Sequence, residues 1–138
     1  WIEFEELQDK MPQPIMIDVE KIPWKIPLHL SHSLMGIVSI NMIHVAKWTC
    51  TIALFKGAGN LLKADQFLLL YGPFKIGNKH TSQSNYFFDN SLKMKNDLWG
   101  IRDIEEVTEE AKKNGFFQED IVSMPANNFS IIYRKVYS

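Results

Sequence analysis

At 138 residues the chain has the length of one domain, enough to bury roughly two-thirds of the surface its unfolded form exposes. A hydrophobic share of 46% against 22% charged argues for a packed core, and a formal net charge of -1 gives no overall field for nucleic acid or an anionic membrane. No apolar run approaches the roughly 20 residues of a bilayer span, and the first residues do not read as a signal-type leader. The single cysteine, Cys50, leaves no internal disulfide and no thiolate cluster, so a reducing, cytoplasmic setting is the expectation.

The chain opens in mid-pattern. Trp1, Ile2, Phe4 and Leu7 are interleaved with Glu3, Glu5, Glu6 and Gln8, as in the tail of an amphipathic helix with no start signal, and the expectation is a fragment or truncated product. Met11-Pro12-Gln13-Pro14 ends that helix, because proline disfavours helix at the residue before it. Ile15 to Val19 reads as a short strand with an acid, Asp18, at its carboxyl end, and the stretch 20–27, with two prolines around Trp24, as a loop. Residues 28–34 are ambiguous.

The strongest pattern follows. Ile37-Val38-Ser39-Ile40 is an apolar run ending in the polar cluster Asn41-Met42-Ile43-His44; helix-like sequence runs from Lys47 to Leu62; Phe67 to Gly72 is a second apolar run. Two continuous apolar runs joined by a helix predict a parallel βαβ unit with strands covered on both faces. In such sheets ligands bind outside the carboxyl ends of the strands. Asn41 and His44 stand after the first strand, and Tyr71 to His80 after the second.

Pro73 to Trp99 reads as a long, mostly irregular segment: a turn-rich basic loop, then a short helix from Tyr86 to Lys95 capped by Ser84 or Asn85. Asp103 is the expected N-cap of a helix acidic at its start and basic at its end, stopped by Gly115. Glu119 to Met124 and Phe129 to Tyr133, joined by the turn 125–128, form an antiparallel pair. Nothing splits the chain, so residues 1–138 are read as one domain.

Each polar candidate carries a plain alternative. Asn41 can hydrogen-bond a ligand or merely end a strand, and His44 can move a proton or merely pack. The loop carrying Tyr71, Lys75, Lys79, His80, Thr81, Ser84 and Asn85 suits an anionic or polar small molecule, or is a solvated basic loop. Arg102 can fork to a carboxylate, or pair with Asp103 or Glu106. Asn127 and Asn128 suit a left-handed turn first and a ligand second. The four histidines lack zinc-site spacing, and Cys50 falls inside the predicted crossover helix.

Several stretches together are distinctive: 39–48 (SINMIHVAKW), 70–75 (LYGPFK), His80-Thr81-Ser82, 99–103 (WGIRD) and 124–128 (MPANN). From Pro14 onward they resemble the class I S-adenosylmethionine methyltransferase-like family that includes methyltransferase-like protein 26. The resemblance implies a Rossmann-like α/β fold whose strands lie in the order three, two, one, four, five, seven, six, mostly parallel with strand seven antiparallel. Ile15 to Val19 would be strand three, Ile37 to Ile40 strand four, Phe67 to Tyr71 strand five, Glu119 to Met124 strand six and Phe129 to Tyr133 strand seven. It implies S-adenosylmethionine as cofactor, met by Asp18 and Val19 at the adenine and by Ser39, Ile40 and Asn41 at the end of strand four. Asn41 and His44 would be the catalytic pair, Tyr71, Lys75, His80, Asn85, Arg102, Asn127 and Asn128 the substrate side, and the methyl acceptor a small molecule or a protein.

Two departures shape the expectation. Met35 stands about where the family carries an aspartate at the entry to strand four, and the glycine-rich loop after strand one and the acid after strand two are absent. The expectation is a methyltransferase-like domain lacking its first two strands and inactive by itself. The alternative is a non-enzymatic interaction module that self-associates through the exposed edge of strand four. Ile15 to Val19 is expected either to pair with that edge or to pack loosely.

Overall fold

The computed structural model describes residues 11–136. The helix expected over Trp1 to Leu7 lies outside them. A single helical turn, α1 (Leu28–Ser31), precedes β1 (Gly36–Ile40). A short 3-10 turn at Ile43–Val45 leads into α2 (Trp48–Leu61), which crosses over to β2 (Phe67–Gly72). The two-residue strands β3 (Lys75–Ile76) and β4 (Lys79–His80) form a small hairpin, followed by α3 (Gln83–Lys95), α4 (Ile104–Lys113), β5 (Phe116–Met124) and β6 (Asn128–Lys135). No described helix is long and apolar enough to cross a membrane.

The main sheet has the order β1-β2-β6-β5. β1 and β2 are parallel, as the long helical crossover between them requires, while β6 runs antiparallel to both β2 and β5. This is the expected order four, five, seven, six with the reversed strand in its place, and it makes the chain a Rossmann-like, methyltransferase-type α/β fold with a mixed sheet.

The register explains which face is covered. Ile37 stands opposite Leu68 and Leu68 opposite Tyr133, while Leu70 stands opposite Ile131. Leu68, Leu70, Ile131 and Tyr133 are buried with Leu54, Phe55 and Ala58 of α2 and Val107 and Ala111 of α4 in one core. Phe55 sits edge-on to Tyr133 at 5.3 Å and to Phe116 at 6.1 Å, the geometry aromatic quadrupoles favour. The Tyr133 hydroxyl shares a 2.9 Å hydrogen bond with Thr108, and burial pushes its pKa up to about 12.

The opposite face departs from expectation. Val38 is 55% exposed and Ile40 62%, so β1 is not covered on both faces by the described residues. The reason is placement: α2 and α4 both pack on the other side.

Ile15 to Val19 also departs from expectation. It forms no strand and pairs with no strand among the described residues, and Ile15 and Ile17 are each 43% exposed and Met16 97%. An apolar run of strand composition becomes a strand only where a neighbour accepts its hydrogen bonds. Of the two outcomes anticipated, the loose one is observed.

The segment after it is anchored by Trp24. Its Nε1 donates to the Val19 carbonyl at 2.9 Å, and its ring lies on α2 where Gly57 leaves room: a Cβ there would come within 2.3 Å of the indole.

Boundaries elsewhere moved for local reasons. Ser82, rather than Ser84 or Asn85, caps α3, its Oγ accepting from the Asn85 amide at 3.1 Å. The basic loop is a hairpin because Gly77 and Asn78 both take left-handed conformations, φ 59° and 61°, in its two-residue turn. Asp103 caps α4 as expected, accepting from Glu105 N at 2.9 Å, and its other oxygen accepts from Asn78 N in the hairpin turn. Gly115, at φ 82°, ends the turn after α4, so β5 starts three residues before the expected Glu119.

Candidate functional site

The carboxyl ends of β1 and β2 open onto a cleft of about 500 Å³. Its polar wall comprises Asn41, His44, Ser84, Asn85 and Asn128; Val45, Pro73 and Phe88 supply apolar surface. These residues come from the β1 exit, the β2 exit, the first turns of α3 and the β5–β6 turn, four segments that meet only in the folded chain.

Asn41 ends β1 in a left-handed turn, φ 52°, while its amide still donates to the Tyr71 carbonyl at 2.9 Å. Asparagine tolerates that conformation better than most residues. The turn carries the chain into the 3-10 segment that buries Ile43 and His44. Gly72, at the end of β2, lies beneath both side chains: a Cβ there would meet Asn41 Oδ1 and His44 Cε1 at 3.4 Å each.

His44 is 4% exposed, with Phe88 edge-on at 5.8 Å. Its ring makes no hydrogen bond among the described residues, and its carbonyl accepts from Gly100 N at 3.0 Å. Burial, and secondarily the positive charge of Arg102, hold its pKa below the ordinary histidine value. The ring is therefore neutral near pH 7, with a lone pair available on one nitrogen.

Asn85 is 5% exposed and joins α3 to the β5–β6 turn, its Nδ2 donating to the Asn127 carbonyl at 3.1 Å and approaching Thr81 Oγ1 at 3.4 Å. Asn127 donates to Ser84 Oγ at 3.3 Å. Asn128 Nδ2 donates to the Tyr71 hydroxyl at 3.2 Å and to the Pro125 carbonyl at 3.3 Å. In that turn Ala126 and Asn127 are both left-handed, φ 61° and 59°. So Asn127, rather than Asn128, takes the left-handed role expected of the pair. Asn85 with Asn127, and Asn128 with Tyr71, thus form two hydrogen-bonded pairs, and Asn85 and Asn128 line the cleft with Asn41 and His44.

The remaining candidates lie elsewhere. Lys75 sits in β3, its amide donating to the Arg102 carbonyl at 2.9 Å. His80 Nε2 is 3.1 Å from Asp89, whose carboxylate also meets Lys93 Nζ at 2.9 Å and the Ile101 amide at 2.8 Å. Burial works against the ionised form of Asp89, but the Ile101 amide and Lys93 outweigh it and hold its pKa below the carboxylate range. This cluster ties the hairpin, α3 and the strand-like exit before α4 together.

Arg102 takes neither expected partner. Its Nη2 donates to the Ala46 and Leu98 carbonyls at 2.7 and 2.9 Å, Nε reaches Ile43 O at 3.4 Å, and the guanidinium stands 5.7 Å from the Trp48 ring. It clamps the segment that carries His44.

Asp18 and Val19 are apart from the cleft. Asp18 turns back on its own chain, Oδ1 accepting from Glu20 N at 3.0 Å, in a second hollow of about 450 Å³ walled by Ile17, Ile22 and Trp24. Ser39 is half-buried on the core face of β1, and Ile40 is exposed on the other.

Val45, Pro73, Phe88 and Ala126 escaped the sequence reading. Phe88 was accessible to it: with Ser82 as cap, residues 84, 85 and 88 fall on one helical face. No group of three or more metal-ligating side chains occurs among the described residues.

An α/β sheet with a reversed penultimate strand and a polar cleft at the parallel strands' carboxyl ends defines a methyltransferase-type fold. The fold is shared with solved structures. The mitomycin 7-O-methyltransferase MmcR matches with a TM-score of 0.74 and 16% identity over 98% of this chain and 37% of its own. An O-methyltransferase family protein from Burkholderia thailandensis matches at 0.72 and 10% over 99% and 39%. Human N-acetylserotonin methyltransferase in complex with SAM matches at 0.68 and 15% over 86% and 32%. The chain therefore spans between 32% and 39% of the length of these three. By sequence the chain belongs to the family DUF938, protein of unknown function, which matches residues 4–135.

The residues that the resemblance assigns to S-adenosylmethionine fall in two separate places: Asp18 in the hollow walled by Ile17, Ile22 and Trp24, and Asn41, beside His44, over Gly72 in the cleft.

Proposed function

We propose that this chain is part of an S-adenosylmethionine-dependent methyltransferase and carries its acceptor side. The observation that supports the reading best is the convergence of Asn41 and a neutral, buried His44 over Gly72 at the carboxyl ends of β1 and β2. Fold alone does not select a chemistry, since one α/β architecture hosts many. The resemblance to the family that includes methyltransferase-like protein 26 belongs to the same reading.

When bound, S-adenosylmethionine supplies an electrophilic methyl group on a sulfonium. The protein's own residues position and deprotonate. Asn41 orients the acceptor by hydrogen bonding, and His44 takes the proton the acceptor sheds. Phe88 and Val45 limit water at the reacting group. Asp18 and Val19 serve the adenine end, Ser39 and Ile40 the β1 end. The acceptor is a small molecule or a protein side chain, and this chain without further segments is inactive.

Calorimetric titration of S-adenosylhomocysteine tests this in two proteins, the present chain and one extended at its amino terminus. Binding by the extended protein alone is the expected result. Binding by neither overturns the methyltransferase reading, and binding by both overturns the inactivity of the shorter chain.

A second reading rests on β1. Its outer edge is unpaired among the described residues, and Val38 and Ile40 are exposed. Strand addition by a second copy would satisfy that edge.

A further inference from the structure

The hydrogen bonds of the cleft point to the kind of molecule it takes. Asn85 spends its amide nitrogen on the Asn127 carbonyl and Thr81, and Asn128 spends its nitrogen on the Pro125 carbonyl and the Tyr71 hydroxyl. A main-chain carbonyl can only accept, so these contacts fix which end of each amide is nitrogen. Each oxygen is then left over. Neither has a partner among the described residues, and both residues line the cleft. One nitrogen of neutral His44 adds a third acceptor. The lining contains no Lys, Arg, Asp or Glu. The lysines that suggested an anionic ligand lie in the hairpin instead, and Arg102 is committed to carbonyl oxygens.

We infer that the cleft binds a flat molecule whose polar edge presents N–H or O–H donors and carries no negative charge, of the aromatic amine, amidine, amide or phenol class. The inference rests on the reading of this cleft as the acceptor side and names the acceptor's chemistry. A carboxylate or phosphate has only acceptor atoms to offer: Asn41 Nδ2, which has no partner among the described residues, can donate to one of them, but the amide oxygens of Asn85 and Asn128 would face its lone pairs without a counter-charge. A donor-bearing edge satisfies them, and Phe88 offers a ring against which a planar body packs.

Three probes of nearly one shape separate the cases: benzamidine (donors only), benzamide (donor and acceptor) and benzoate (acceptors only). Each is titrated into isotope-labelled protein, following the side-chain amide signals of Asn41, Asn85 and Asn128. Benzamidine and benzamide are expected to shift those signals and to bind at least about tenfold more tightly than benzoate, the difference one or two unmet acceptors produce. Phe88→Leu is expected to weaken both severalfold while keeping their lead. Benzoate binding as well as benzamide overturns the inference. So do shifts centred on Lys75 and Lys79, no binding by any probe, or affinities indifferent to Phe88→Leu. Should that variant not fold, the signals that move in the parent protein locate the site. The S-adenosylhomocysteine titration is independent: its failure with the probe order intact removes methyl transfer and leaves the donor-selective cleft, and the reverse result removes only the acceptor class.

Discussion

His44 and Arg102 form one device. The arginine holds the carbonyls around the His44 segment, and burial with that nearby charge depresses the histidine's pKa. A base whose folded pKa lies below its unfolded value favours the unfolded state wherever the unfolded chain binds the extra proton. Stability should therefore be full above about pH 6.5 and decline as pH falls below it. Urea denaturation at pH 7.5 and 5.5 should show the decline, and His44→Gln should reduce it; an unchanged slope in the variant would assign the titration elsewhere. Arg102→Met should cost about 1–3 kcal/mol, because the Ala46 and Leu98 carbonyls lose their charged donor. The chain's residue types flagged Arg102 as a fork. Which acceptors it meets is a long-range fact, since Ala46 lies 56 residues away.

At the scale of elements, α2 shows two effects in competition. Gly57 sits inside a helix, where alanine would ordinarily gain about 1 kcal/mol. Here a Cβ would lie 2.3 Å from Trp24, and displacing that ring also breaks its bond to Val19, a cost of about 1–3 kcal/mol. Gly57→Ala should therefore destabilise in thermal unfolding, whereas the same change in a Trp24→Ala background should stabilise. A stabilised single variant would mean Trp24 does not rest on α2. For α3, Ser82→Ala should cost about 1 kcal/mol by removing the cap from Asn85 N, and the loss should be measurable by chemical denaturation. This cap was hidden in sequence because Ser82, Ser84 and Asn85 are all competent; the preceding hairpin, closed by Gly77 and Asn78, sets where the helix can begin.

For the whole molecule, the unresolved balance is between the covered and open faces of the sheet. An unpaired apolar edge strand without charge invites pairing, and lysine on such an edge suppresses it. If β1 pairs with a second copy, light scattering should show mass rising with concentration, and Val38→Lys should return the monomer. A constant monomer mass in the parent chain would end the interaction-module reading.

Local sequence determined the crossover unit, the caps at Asp103 and Gly115 and the antiparallel last pair, because each rests on periodicity or on residues adjacent in the chain. Strand order four, five, seven, six followed once those pieces were joined to the family resemblance. The tertiary structure decided the rest. Ile15 to Val19 had strand composition but no strand neighbour among the described residues, and composition alone cannot supply one. His80 and Arg102 had the chemistry of a ligand site, but their side chains meet Asp89 and main-chain carbonyls. Asn85 and Asn128 acquired their acceptor character only when Asn127, Pro125 and Tyr71 took up their nitrogens, because which end of an amide is free depends on what the fold places beside the other.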